Sequence, residues 1–204
     1  MLTRMDHKVI RPALEAITVK KAVAIDCLSE AECTQYVEWA DSLGYRQARA
    51  VTGSETAPVQ QDFELNYEIP QDHFFWNLAK SVEKSVGPVV GAHREAAGLS
   101  HEPLIINDLI AQRYPPGCRG ITPHRDHVSY RFVVLILLLS GDGTFSLHTN
   151  REAGVATEVS FSPGQLLLMG APGISADFKR PYHSVKGVSR TRRTIGFRYD
   201  SRLV

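Results

Sequence analysis

The chain has 204 residues, enough for one domain with a sizeable core. Apolar residues make up 43% and charged residues 22%, which excludes a disordered or membrane-embedded polymer. With 23 Lys and Arg against 22 Asp and Glu the formal net charge is +1. That gives no global pull toward nucleic acid or an anionic membrane, and leaves only a local basic patch near the C-terminal strand.

The opening segment, MLTRMDHKVIRPALEAI, lacks the apolar stretch of a signal peptide. The cysteines, Cys27, Cys33 and Cys118, are odd in number and form no CxxC pair. They read as free, mostly buried thiols in a reducing, cytoplasmic setting. The longest apolar run, Phe132 to Leu139, is too short for a membrane span and reads as a buried strand.

Lys20 to Cys27 reads as a short strand. Ser29 with Glu32 makes a capping box, which predicts a helix from Ala31 to Leu43 with Cys33, Val37 and Ala40 on one face. Gly44 is its expected stop. Residues 50–70 are polar and Gly-containing, and predict a lid-like loop with a strand near Phe63 to Tyr67. Phe75, Leu78, Ala79 and Val82 fall at helical spacing, so a second helix covers Asp72 to Val86, with an extension past Pro88 to Ala97. From Leu104 short apolar segments alternate with Pro and Gly, the pattern of a β-sandwich or barrel. The expectation is one α+β domain over residues 1–204. Helical support spans about 20–100 and a jelly-roll core about 104–200.

Within that core, His124 and Asp126 are two residues apart. On a strand, such residues project from one face and can meet one ion. His183, in PYHSVKG on a later strand, is the expected third ligand; His127 and His148 are its rivals. Two His and one carboxylate form the facial triad typical of non-haem Fe(II) sites, with open positions left over. Structural zinc, by contrast, favours four Cys-rich ligands. An HxD alone matches many surface pairs by chance. The buried strand after it, and the basic strand after His183, strengthen the reading.

That basic strand is Arg192-Arg193-Thr194-Ile195-Gly196-Phe197-Arg198. Its even positions share one face. With Ile195 and Phe197 buried outward, Arg192, Thr194 and Arg198 would line a polar cavity. A guanidinium there suits a bidentate carboxylate. Arg193 is the competing choice.

Together PHRDH, SPGQLLLMG and YHSVKGVSRTRRTIGFR resemble the double-stranded β-helix core of Fe(II)/2-oxoglutarate-dependent oxygenases. RYPPG and the Arg-x-Thr-x-x-x-Arg ending resemble the AlkB-type branch. By that likeness Arg192 binds the distal carboxylate of 2-oxoglutarate and Arg198 orients the cosubstrate, with Gln112, Tyr114 and Thr194 in contact. The usual residue at 112 and at 194 in that branch is Asn. LSEAECTQYVEWADSLGY and HSVKGVSRTRR resemble the prolyl-hydroxylase-like branch, an alignment that selects Arg193. The resemblance implies an oxidoreductase using Fe(II), 2-oxoglutarate and O2. Asp126 fills the place that a halide takes in related halogenases, so hydroxylation or demethylation is expected.

Arg125, Tyr130 and Arg131 flank the HxD turn and are the expected substrate contacts. Asp62, Glu64 and Tyr67 on the lid are further ones. The near-neutral charge favours a small molecule or an amino-acid side chain over a nucleic acid. Two alternatives stand beside this: an AlkB-type nucleic-acid demethylase and a non-catalytic cupin-like binding module.

Overall fold

The computed structural model describes residues 5–152 and 155–204. The chain opens with a helix that the sequence pattern did not announce, α1 (His7–Lys20). Asp6 caps it, accepting from the Lys8 amide at 2.8 Å. Ile10, Ala13, Leu14 and Ile17 form its buried stripe, while Pro12 sits on the exposed side. There the carbonyl that a proline leaves unpaired can meet water.

The strand after it is β1 (Ala22–Asp26), inside the expected range. Helix α2 (Glu30–Asp41) carries the capping box: Ser29 N–H donates to Glu32 Oε2 at 2.7 Å, and Glu32 N–H donates to Ser29 Oγ at 3.3 Å. Cys33 and Ala40 are buried and Val37 is half-buried. The helix ends on Ser42, so Gly44 is not its stop.

The segment expected as a loop with one strand near Phe63 to Tyr67 is mostly strand throughout, the expected strand included. It holds β2 (Arg46–Gln47), β3 (Val51–Ser54), β4 (Ala57–Asp62) and β5 (Glu64–Asn66). No residue of β3 is buried, which hides the period-2 signal there. Helix α3 (Phe74–Ala96) runs unbroken through Pro88.

The rest is β: β6 (Asp108–Tyr114), β7 (Gly120–His124), β8 (Val133–Ser140), β9 (Thr144–His148), β10 (Ala156–Val159), β11 (Gln165–Gly170), β12 (Tyr182–Lys186) and β13 (Arg192–Arg198). These strands form two antiparallel sheets, ordered β1-β11-β8-β13-β6-β5-β2 and β10-β9-β12-β7-β4-β3. The architecture is α+β, a double-stranded β-helix with helices on one face. The N-terminal third is therefore more than helical support, because it supplies strands to both sheets.

Alternation along β13 separates two apolar bodies. Ile195 and Phe197 join α1, α3 and the outer face of the larger sheet. Ile110, Tyr114, Val134 and Phe145 belong to the body between the sheets. Tight backbone approach aligns the smaller sheet. Gly120 has φ +75, and a Cβ there would collide with the Val185 carbonyl. The pairing it permits puts His124 directly across from His183.

Candidate metal centre and cavity

His124 ends β7, His183 lies in β12, and the two rings sit 4.2 Å apart between centroids. Asp126 lies just beyond the strand end, in irregular chain. The expectation that one strand presents both HxD ligands is thus met only at His124; the turn after it brings the carboxylate round. Ligand atoms of His124, Asp126 and His183 all lie within 4.8 Å of one another. Asp126 Oδ2 stands 3.9 Å from His183 Nε2 and has no hydrogen-bond partner among the described residues. An unpaired, buried carboxylate oxygen facing two imidazoles fits a cation between them.

The ring orientations agree with that. His124 Nδ1 lies 3.0 Å from the Thr122 carbonyl, which assigns the proton to Nδ1 and leaves Nε2 free as a ligand. Burial, then the charge of His124, pushes the His183 imidazole down to about 4 against the opposing pull of Asp126. It is therefore held in the neutral form that a metal requires. His183 stacks on Phe145 at 5.5 Å. Arg180 donates to the Asp126 backbone carbonyl and fixes the turn.

The rival histidines fall elsewhere. His148 bonds Ser184 Oγ at 2.8 Å and does not line the cavity. His127 reaches the cavity wall, but its Nδ1 is engaged by Ser129 at 2.8 Å and it stands outside the triad.

The triad opens into a cavity of about 410 Å³ between the sheets. Arg192, Thr194 and Arg198 line it from β13, with Gln112 and Tyr114 from β6. Arg192 is 1% exposed. Its Nη1 donates to the Asp142 and Gly143 carbonyls at 3.2 and 3.4 Å, and its Nε has no partner. It forms no ion pair among the described residues, and burial lowers its pKa. A desolvated guanidinium without a carboxylate fits an anionic cosubstrate. Thr194 Oγ1 donates to Gln112 Oε1 at 3.3 Å, and the Tyr114 ring stacks on Phe63 at 4.7 Å.

Arg193 points away. Its Nε and Nη2 meet Asp41 of α2 at 2.7 and 2.8 Å. Arg198 has an internal counter-ion, Asp108, at 2.8 Å, and lies over the Tyr130 ring at 4.6 Å. Burial opposes its charge, but Tyr130 and Asp108 outweigh that and raise its pKa.

Of the expected substrate contacts, Arg125 and Tyr130 line the cavity and Arg131 does not. Phe132, at φ +63, turns the chain, and the Arg131 guanidinium lies toward the Phe132 ring and Gly173. Tyr67 is in the wall. Asp62 instead accepts from the Arg119 amide at 2.7 Å, and Glu64 pairs with Arg113 at 2.6 Å. Thr52, Gln61 and Arg151 line the cavity without having been anticipated. No helix among the described residues is long and apolar enough to cross a membrane.

No protein-family model and no curated protein sequence matches the chain. Solved structures do match. A prolyl hydroxylase from Trichoplax adhaerens, in complex with a hypoxia inducible factor oxygen degradation domain peptide fragment, superposes with TM-score 0.65 at 14% identity. That match covers 93% of this chain and 88% of the other. A 2OG-Fe(II) oxygenase family oxidoreductase from Burkholderia pseudomallei gives 0.63 at 13% identity, over 94% and 91%. A Pseudomonas putida prolyl-4-hydroxylase gives 0.59 at 14% identity, over 94% and 98%. At these identities the likeness is one of architecture: the chain has the fold of the 2OG-Fe(II) oxygenases along nearly its whole length.

Proposed function

We propose that the chain is an Fe(II)- and 2-oxoglutarate-dependent dioxygenase that oxidises, by hydroxylation, a C–H bond of a small molecule or amino-acid side chain, releasing succinate and CO2. One observation carries this reading. A His-Asp-His cluster and a buried guanidinium, Arg192, with no counter-ion among the described residues share one cavity. His124, Asp126 and His183 would hold Fe(II), and Arg192 would take the distal carboxylate of 2-oxoglutarate. Bound together with O2, the metal and cosubstrate supply the oxidising chemistry.

The chain's own residues do the rest. Tyr114, Gln112 and Thr194 line the cosubstrate's side of the wall. Ile121, Val134, Ile136 and Phe145 keep water from the centre. Arg198, already neutralised by Asp108, orients rather than binds. The prolyl hydroxylase neighbours, one holding a peptide fragment, support a side-chain substrate.

The test is anaerobic addition of Fe(II) and 2-oxoglutarate to the purified protein. A weak visible charge-transfer band, lost in His183→Ala, is expected. No band and no Fe(II)-dependent thermal shift in the wild-type protein would reject the reading.

A further inference from the structure

Two arginines of the cavity wall, Arg125 and Arg151, gather at one ring, with Arg180 nearby, where its charge also feels Asp126. Arg125 lies between two of the triad residues in sequence and stacks over the Tyr182 ring at 4.1 Å. Arg151, from the turn after β9, approaches the same ring at 5.6 Å. Arg180 is close enough to Arg125 for their charges to interact, and is anchored on the Asp126 carbonyl. None of the three forms an ion pair among the described residues, whereas Arg113, Arg193, Arg198 and Arg202 all do. Arg125 and Arg151 both line the cavity.

Arg151 is also held in place. Its Nη1 donates to the Ala57 and Pro58 carbonyls of β4 at 3.1 and 3.3 Å. That leaves Nε and Nη2 uncommitted among the described residues. Stacking on an aromatic face likewise leaves the N–H edge of Arg125 free. A surface role alone does not account for two guanidiniums against one ring at the cavity wall with N–H donors uncommitted among the described residues. Such an arrangement is stabilised by an anion.

We propose that Arg125 and Arg151, braced on Tyr182, hold an anionic group of the substrate, a carboxylate or phosphate, at the cavity rim. The inference rests on the oxygenase reading and narrows its substrate to a compact acidic molecule. With a net charge of only +1 the chain as a whole offers no excess positive charge to follow a nucleic-acid backbone, so the pair reads as one anion site.

The experiment is phenylglyoxal labelling of arginines, mapped by mass spectrometry, with inorganic phosphate or acetate as competitor. The expected result is protection of Arg125 and Arg151 but not of Arg119, which is exposed and apart from the cavity. Stronger protection by phosphate or by acetate tells which group the site prefers. In Arg125→Gln the phosphate concentration that half-protects Arg151 should rise about tenfold, about 1.4 kcal/mol. Equal labelling with and without both anions overturns the proposal. So does a single-stranded oligonucleotide that protects better than phosphate and shields Arg119 too, since that marks a nucleic-acid surface. The charge-transfer band is read on the same preparation. A band without protection sinks this inference alone, and protection without a band sinks the oxygenase reading instead.

Discussion

Arg192 and Arg193 are consecutive in β13 and serve opposite faces of the sheet: the first lines the cavity at 1% exposure, the second grips Asp41 of α2. Period-2 geometry forces the division. Arg192→Ala should weaken 2-oxoglutarate binding by about a hundredfold, in line with about 3 kcal/mol for a buried, hydrogen-bonded charge pair. Arg192→Lys should recover only part, because an ammonium lacks the guanidinium fork. Arg193→Ala should leave the affinity unchanged and cost about 1 kcal/mol in urea unfolding, since its pair with Asp41 is partly exposed. Cosubstrate titrations on the three variants decide it. A larger affinity loss in Arg193→Ala would reverse the assignment.

The buried His183 predicts a pH dependence of the metal-free protein. Its imidazole falls from 6.5 to about 4 on folding, through burial and the nearby His124. The unfolded chain therefore takes up the proton first. The stability linked to this group is complete above about pH 6.5 and drains away as the pH falls toward about 4, on the order of 3 kcal/mol in all. Thermal unfolding of metal-free protein across that window should show the decline. In His183→Phe the slope between pH 6.5 and 4 should flatten. An unchanged slope in that variant would assign the decline to other groups.

Much of this site is legible in the sequence. The capping box at Ser29 and Glu32 and the alternation of Arg192, Thr194 and Arg198 against Ile195 and Phe197 are local patterns. A linear reading follows them. The β3–β4 hairpin is not legible, because no residue of β3 is buried and on β4 only Val59 is, flanked at i−2 and i+2 by Ala57 and Gln61 rather than by an apolar run. Helix α1 is masked by Pro12, which local rules count against a helix. Arg151 carries no local signal at all: it reaches Tyr182 only because β9 and β12 are paired, with Tyr182 opposite His148. Arg131 shows the converse. Its place beside Tyr130 suggested the cavity, but the positive φ of Phe132 ends any alternation there.

Arg198 and Asp108 face each other across β13 and β6, both largely buried. Burial raises the Asp108 carboxyl even against the lowering effect of Arg198, so desolvation is large for this pair. Removing one partner strands the other charge. Arg198→Met should therefore destabilise the protein by about 3 kcal/mol in urea unfolding. The double variant with Asp108→Asn should regain more than half of that loss. Equal destabilisation in single and double variants would mean that Arg198 acts through packing over Tyr130 rather than through charge.

The three thiols should separate by reactivity. Cys27 is 1% exposed, its Sγ 3.3 Å from the Met5 sulfur, and burial pushes its thiol up to about 12. Cys33 is buried in the same apolar body under α2. Cys118 is half-buried on the turn between β6 and β7, with its thiol raised less, chiefly by burial. Reactivity follows the thiolate fraction and access to it. Native protein at neutral pH should thus react with a disulfide reagent at Cys118 first. Cys27 and Cys33 should follow only on unfolding, at a rate set by opening of the helical layer. Peptide mapping after brief labelling checks the order. Early modification of Cys27 would mean that the packing of α1 and Met5 over β1 opens far more readily than its buried contacts imply.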